Sequence, residues 1–168
     1  MAAPSATAGS CHSSRRVNRR RGATDVVLEA LVHLVESQST GIVVSIIPLV
    51  GGAGRWRQAA TSLHAIEERR ADLLAGPLFD AVRHGEFNVV PDIAADQSWV
   101  DHWAFFSALD LRACWATPIS SRAGKPIGVL AIFARAAREP CEAEIELMQI
   151  AAQLAAIAAE REDAKVSN

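Results

Sequence analysis

The strongest constraint on the fold is the last third of the chain, where two apolar runs of strand length precede one long helical segment. The runs cover residues 111–119 and 127–134, and a polar turn separates them. This pattern predicts a β-hairpin with a loop of several residues. The helical segment opens with three acids, where negative charge suits the helix dipole: Glu142, Glu144 and Glu146. A hairpin that feeds a long helix favours a mixed domain over an all-helical one.

The first half of the chain supplies the complementary elements. Apolar residues recur at helical spacing from Leu28 to Val35, and Thr24 is a suitable N-cap. Residues 41–50 form a dense β-branched run that predicts a buried strand. A glycine turn at residues 51–54 then leads into a second strand at residues 55–62. That turn lacks the lysine and the following helix of a phosphate loop.

The middle of the chain is predicted to hold short elements. We expect helices at residues 66–74 and 78–84, a strand at 87–90, and a helical turn near 101–108. Adjacent strands with few intervening helices favour an antiparallel sheet in an α+β domain.

Charge divides the chain into one folded domain and a tail. Five arginines and no acid lie in residues 1–24, and the remainder carries 12 basic against 19 acidic residues. We therefore expect a disordered basic tail at residues 1–23, a folded domain at 24–162 and a short tail at 163–168. The net negative charge of the domain argues against nucleic-acid binding.

Composition indicates a soluble protein of the cytoplasm. Half of the residues are hydrophobic, yet no apolar run is long enough to cross a membrane. The three cysteines, Cys11, Cys114 and Cys141, are widely spaced and form no disulfide framework, which fits a reducing compartment.

Three motifs in the chain resemble the GAF domains of bacterial sensor kinases and cyclic-di-nucleotide signalling proteins. They are RACWATPI, the strand GKPIGVLAIF, and REP followed by an acidic, alanine-rich helix; VVPDIAADQSW adds a fourth, similar to the VVxDIAxDPxW of the family. The resemblance implies a central antiparallel sheet, with the terminal helices on one face and a ligand cavity on the other.

One segment departs from the family pattern. Relatives carry a Gly/Ser/Cys-rich stretch before the third strand, whereas residues 75–81 here read AGPLFDA. The bulk of Leu78 and Phe79 could fill the cavity, or reshape it for a small apolar or anionic ligand.

The candidate ligand-binding residues are aromatic or polar side chains in segments that surround the pocket in the family: Trp99, His102, Trp103, Arg112, Cys114 and Trp115. Tryptophans can wall a small ligand with few polar anchors, and Arg112 could pair with an anion. Strand alternation puts Cys114 and Trp115 on opposite faces, so only one of them can line the pocket. The sequence leaves open which one does.

Catalytic and metal sites are not predicted. A nucleophile needs a base within reach and a group that orients it, and no such set stands near Cys114 in sequence. The five histidines share no metal-ligand spacing. We therefore expect a sensory domain without catalysis that binds a small molecule and signals through its terminal helices. The ligand and any cofactor are unknown. The alternatives are a degenerate domain that acts only in dimerisation, and a redox or haem sensor through Cys114 or His102.

The terminal helices also predict a homodimer, beside a possible separate output protein. In the last helix, Leu147, Ile150, Leu154 and Ile157 form a 3-4-3 stripe, which we expect to face the sheet or the first helix. A second, alanine-rich side, centred on Ala155 and Ala159, is then expected to face a second copy. The alternative is an alanine surface that merely favours helix formation.

Overall fold

A computed structural model describes residues 22–49, 56, 59–76 and 78–166, without the side chains of residues 79, 163 and 166. Residues 1–21 of the expected disordered tail and the glycine turn at residues 51–54 lie outside these ranges, whereas Ala23, the last residue of that tail, begins a helix. The described helices are α1 (Ala23–Ser37), α2 (His64–Glu68), α3 (Arg70–Ala75), α4 (Phe79–His84), α5 (Trp103–Ala108) and α6 (Glu142–Val166). The strands are β1 (Ile42–Pro48), β2 (Ala60–Thr61), β3 (Asn88–Val90), β4 (Ala113–Ser120) and β5 (Pro126–Ala134), and two 3₁₀ helices cover Ile93–Ala95 and Gln97–His102.

The five strands form one antiparallel sheet in the order β2-β1-β5-β4-β3. The hairpin of β4 and β5 supplies its centre, as the sequence predicts, and β1 pairs with the far side of β5 along its full length. The α+β expectation is therefore confirmed. The region predicted as one helix at residues 66–74 is divided at Arg69, which leaves helical geometry between α2 and α3.

One face of the sheet, the helical face, is covered by α1 and α6. Alternate strand residues such as Val44, Trp115 and Leu130 point into this core and are buried. The side of α6 that meets them is made of alanines, with Ala155 fully buried and Ala159 nearly so. The expectation that the alanines face outwards is therefore wrong, because their small side chains let α6 approach α1 and the sheet closely.

Three large apolar residues of α6 instead face solvent, whereas Met148 is buried with the alanines. Side-chain exposure is 55% for Ile150, 43% for Leu154 and 49% for Ile157, and α1 adds Val27 at 45% and Leu34 at 53%. These five residues are called the outer stripe below. Leu147 alone of the predicted inward stripe packs partly against the core.

The opposite face of the sheet, the connector face, is covered by the short elements between β2 and β4. Strand residues such as Val43, Cys114 and Phe133 pack there against Leu73, Ile93 and other buried side chains of the connecting segments. Leu78 is 1% exposed in this core, so the bulk that replaces the small residues of the family pattern occupies interior space.

The two ends of the domain lie side by side because α1 and α6 are antiparallel. The Thr24 hydroxyl donates to the Ala158 carbonyl at 3.0 Å, and a Cβ on Gly22 would meet the Glu162 carboxylate at 2.6 Å. Thr24 is thus a buried tie between helices rather than the N-cap, which is Gly22. None of the helices in the described part of the chain is long and apolar enough to cross a membrane.

Candidate functional site

An aromatic wall closes the connector face where the predicted site lies. Trp99 meets Phe106 edge-on with ring centroids 5.2 Å apart, and Phe106 stacks on Phe133 of β5 at the same separation. All three side chains are at most 2% exposed. The sequence indicates both Trp99 and Phe106 as members of an aromatic wall, but nothing in the spacing shows that Phe106 is the ring that reaches the sheet.

A polar rim borders this wall at the start of β4. The Arg112 Nη2 donates to both carboxylate oxygens of Asp92 at 3.2 Å, and the guanidinium carbon lies 5.6 Å from the centre of the Trp103 ring. The backbone of Arg112 also joins two elements, since its N–H donates to Ala134 and its carbonyl accepts from Ile93. The side chain is 42% exposed and so lies between solvent and core.

The Nε of Arg112 differs from the rest of the guanidinium. It is buried and has no hydrogen-bond partner among the described residues. A buried donor without an acceptor costs about 1–3 kcal/mol, and such groups are rare in folded proteins. The rim therefore contains a cationic donor whose hydrogen-bonding capacity is only partly used.

Asp92, the partner of Arg112, has both a local and a long-range role. Its carboxylate accepts from the Ala94 N–H at 3.1 Å, as expected of an aspartate that follows Pro91 in a turn. The same carboxylate also holds Arg112, twenty residues away. No local spacing reveals this pairing, which depends on β3 lying beside β4.

His102 completes the rim next to a glycine. Its ring is 6.5 Å from that of Trp99, and its Nε2 would lie 3.1 Å from a Cβ built on Gly76. The absence of a side chain at Gly76 thus gives the imidazole room beside the end of α3. Among the described residues, no group of three His, Cys, Asp or Glu side chains could hold a metal ion.

Cys114 lies beneath the rim, in the core of the connector face. Its side chain is 2% exposed, and burial raises the pKa of the thiol well above its ordinary range. A thiol that stays protonated is a poor nucleophile and a poor metal ligand. The position fits a small core residue at the floor of the site.

Trp115 lies on the other side of the sheet and is separated from the remaining candidates. Its indole N–H donates to the Arg138 carbonyl at 3.1 Å, and the Arg138 guanidinium stacks 4.6 Å from its ring centre. The register of β4 thus places Cys114 on the connector face and Trp115 on the helical face.

Arg138 links Trp115 to the start of α6. Its two terminal nitrogens donate to the two carboxylate oxygens of Glu144 at 2.8 and 2.9 Å. These hydrogen bonds, with that from the Cys141 N–H, hold the pKa of Glu144 at about 2. The cluster fastens α6 to the hairpin and has a structural role.

Two surface depressions occur away from the rim. One, of about 380 Å³, lies between α1 and the end of α6 and is lined mainly by apolar side chains, including Val27, Leu31, Leu154 and Ile157. The other, of about 300 Å³, is polar and lies around Asp80, Arg83 and Asn88.

Comparison with known sequences supports a family assignment over most of the chain. A family model described as a GAF domain matches residues 20–160. The methyl sulfide methyltransferase-associated sensor of Methanosarcina acetivorans is 30% identical over 142 residues, which make up 81% of this chain. The chain spans only 14% of the length of that relative.

Solved structures share the same architecture at low sequence identity. A domain of a two-component sensor histidine kinase protein from Sinorhizobium meliloti superposes with a TM-score of 0.65 and 13% identity, covering 88% of this chain and 97% of that one. A type II free methionine-R-sulfoxide reductase from Thermoplasma acidophilum gives 0.59 and 13%, covering 83% and 94%. At these identities the likeness establishes the fold alone.

Proposed function

The chain belongs to the GAF domain family, and from this membership we propose that it is a sensory module that binds a small molecule at the rim of its connector face. Binding is passed to α1 and α6, and from there to an output protein or domain. The relative from Methanosarcina acetivorans is itself named as a sensor. The site comprises Trp99, His102, Trp103 and Arg112, with Cys114 as its floor, and Trp115 is excluded from it.

The observation that carries this proposal is the unpartnered Nε of Arg112. A ligand with a carboxylate or another acceptor group would compete with Asp92 for the guanidinium and satisfy its remaining donors. Trp103, half-buried against the same guanidinium, would supply an apolar contact. Because Asp92 and Arg112 tie β3 to β4, a ligand that exchanges with this pair also acts on the sheet.

Three glutamates connect the terminal helices to the sheet and its hairpin through their side chains. Glu36 of α1 accepts from the Val44 N–H of β1 at 2.9 Å, and Glu160 of α6 accepts from the Arg122 N–H in the hairpin turn at 2.7 Å. Glu144 fastens the other end of α6 through Arg138. Both helices are thus held to the sheet by side chain contacts at defined points, so a small shift of the strands would move them.

We further propose that the module works without catalysis and without a redox role. The Cys114 thiol is buried with a raised pKa, and Cys141 is exposed just before α6, so neither has the setting of a reactive thiol with its base. His102 is the residue that a haem sensor would need, and a second axial ligand is not evident beside it in the described residues.

The outer stripe supports a homodimer as the signalling unit. Five large apolar side chains on two adjacent helices are 43–55% exposed. Contiguous exposed apolar surface of this kind marks sites of association. We propose that α1 and α6 of two copies pack together through this stripe.

The same stripe favours a second candidate function, an interaction module that only dimerises. The tight packing of Trp99, Phe106 and Phe133 also suits that reading, since it leaves the connector face well filled. The two functions differ in whether the rim responds to a ligand.

The test is thermal unfolding of the purified domain against a panel of small carboxylates and nucleotides, read by tryptophan fluorescence. Native mass spectrometry of the protein as purified would detect a retained molecule. We expect at least one acceptor-bearing compound to raise the melting temperature, and Arg112→Met to abolish that rise.

Arg135→Met is the matched control, because Arg135 is an arginine of similar exposure, 46%, that pairs with Asp110 instead. It should leave the response intact. If no compound is retained and none shifts the melting temperature of a well-folded dimer, the interaction-only function is correct.

A further inference from the structure

The exposed side chains of α6 change in chemical character along the helix. Its first turns expose Glu142 and Glu146, its middle exposes Ile150, Leu154 and Ile157, and its last turns expose Arg161 and Lys165. None of these four charged side chains forms an ion pair with another described residue, so their charges are available to a partner. The outward side therefore presents two acids at one end, two bases at the other and an apolar centre, while the last turns also contain Glu160, Glu162 and Asp163.

The spacing of these residues is symmetric about one point. Glu142 and Lys165 lie at equal distances from the midpoint between Gln153 and Leu154, and so do Glu146 and Arg161, and Ile150 and Ile157. Glu142 and Glu146 are thus each matched by a base, and Ile150 is matched by Ile157, when the helix is reversed end to end. A surface with this property is complementary to its own copy after a twofold rotation.

We propose that α6 pairs with α6 of a second copy in antiparallel orientation, about a twofold axis beside Gln153 and Leu154. This rests on the homodimer proposed above and specifies its geometry. Glu146 then lies opposite Arg161 of the second copy, Glu142 opposite Lys165, and Ile150 opposite Ile157. A parallel pairing would instead bring Glu146 beside Glu146 and Arg161 beside Arg161, where like charges repel.

The depression between α1 and α6 suits the same arrangement. Its cavity volume is about 380 Å³, and Leu154 and Ile157 form one wall with Val27 and Leu31 opposite. In the antiparallel register, Ile150 of the second copy lies against Ile157 and is positioned to fill this depression. Arg161, Glu162 and Lys165 border its far end, and the acidic turns of the second helix would lie beside the two bases. Apolar and charged contacts therefore favour one common register.

The experiment is charge reversal at two exposed positions, with the dimer Kd measured by analytical ultracentrifugation at low salt. In a symmetric antiparallel dimer, Arg161→Glu or Glu146→Arg alone converts two attractive contacts into two repulsive ones. Exposed pairs are weak individually, so we expect each single change to raise Kd roughly tenfold. The double variant recreates both pairs with reversed sign, and its Kd should return to within about threefold of the unmodified value.

Glu86→Arg is the control for net charge, because Glu86 is exposed beside α4, among the segments that cover the connector face. It should leave Kd unchanged. Leu154→Glu should give a monomer, since it puts a charge at the axis. Circular dichroism melts check that every variant is folded.

The outcomes separate the orientation from the dimer itself. If the unmodified domain is monomeric at tens of micromolar, both the homodimer and this register are wrong. If it is a dimer that Leu154→Glu dissociates, yet the double reversal does not rescue the single ones, the antiparallel register alone is overturned. Rescue that fades as salt is raised would support the register, because screening weakens exposed pairs.

Discussion

The two faces of the sheet use alternate residues of the same strands but are closed in different ways. The helical face is covered by two long helices, with alanines at the contact and polar ties at both ends. The connector face is covered by short helices, 3₁₀ turns and loops, with aromatic rings in the core and half-buried polar groups at the rim. The comparison shows that one sheet can carry a closely packed cover of two long helices on one face and a cover of several short segments on the other. Segments of the second kind are those that usually carry binding sites.

The largest effect on stability is expected when a charge is placed in the core of the helical face. Ala155→Glu puts a carboxylate at a position that is fully buried between α6, α1 and the sheet. An uncompensated buried charge costs about 3–5 kcal/mol, a large share of the stability of a small domain, so urea unfolding should show a protein that is largely unfolded. Ala104→Glu, at an exposed alanine of α5 away from the proposed dimer axis, should unfold at nearly the same urea concentration as the unmodified protein.

A cooperative, native-like transition in Ala155→Glu would mean that α6 can move away from the sheet, and the contrast between the two faces would then be lost.

The next effect concerns the tie at the start of α6. Glu144→Gln removes a carboxylate that receives two hydrogen bonds from Arg138, and we expect a loss of about 2 kcal/mol in the free energy of unfolding at neutral pH. Glu139→Gln, at an exposed glutamate next to Arg138 in the sequence, is the control and should have almost no effect.

The Glu144 contribution should also depend on pH. Its pKa is about 2 in the folded protein, below the ordinary value of 4.5, so the unfolded chain takes up the proton first as the pH falls. The stabilisation is complete above about pH 4.5 and is lost as the pH falls towards 2. A constant difference between the unmodified protein and Glu144→Gln across this range would rule out ionisation as its source.

A smaller effect is expected from the floor of the connector face. Cys114→Ser replaces a buried thiol with a hydroxyl among apolar neighbours and should cost about 1 kcal/mol. Cys141→Ser, at an exposed thiol, should change the free energy of unfolding very little. Thiol labelling sharpens the comparison: if the connector cover opens by itself, Cys114 reacts faster than global unfolding allows. If Cys114 is labelled no faster than the whole protein unfolds, the covers of the two faces are equally stable against opening.

The smallest effect on stability is expected at the rim. Asp92→Asn weakens an ion pair whose side chains are 42% and 34% exposed, so the loss should stay below about 1 kcal/mol in urea unfolding. The same change frees the Arg112 guanidinium beside Trp103 and should alter tryptophan fluorescence. Asp110→Asn, at the pair with Arg135, serves as the comparison and should leave the fluorescence unchanged. If Asp92→Asn instead lowers the free energy of unfolding by several kcal/mol, the ion pair at the rim stabilises the fold and the rim is not a binding site.

Much of the fold follows from local patterns in the sequence. The hairpin of β4 and β5, the first helix with Leu28 and Val35 inward, and the end of α4 at Gly85 could all be predicted, because periodicity and turn residues act over a few positions. Gly85 indeed has a positive φ of 65°. The orientation of α6 could not be predicted from hydrophobicity, because close approach of Ala155 to the core outweighed the larger apolar area of Leu154.

The site was predictable in its residue types but only partly in its geometry. Trp99 lies beside His102, and Trp103 lies beside Arg112, but a ligand at these residues stays a prediction. The separation of Cys114 from Trp115 needed the register of β4, and the pairing of Asp92 with Arg112 needed the neighbouring strand. Both are long-range facts that no local pattern contains.

The side-by-side position of Gly22 and Glu162 has a mechanical consequence. Any chain that precedes α1 and any chain that follows the described part of α6 are attached at the same end of an antiparallel helix pair. Tension between these two attachments would peel α1 from α6 one turn at a time, beginning with the Thr24 to Ala158 hydrogen bond. Peeling loads contacts in succession, whereas sliding would load them all together, so the pair should yield to a comparatively small force while the sheet stays intact.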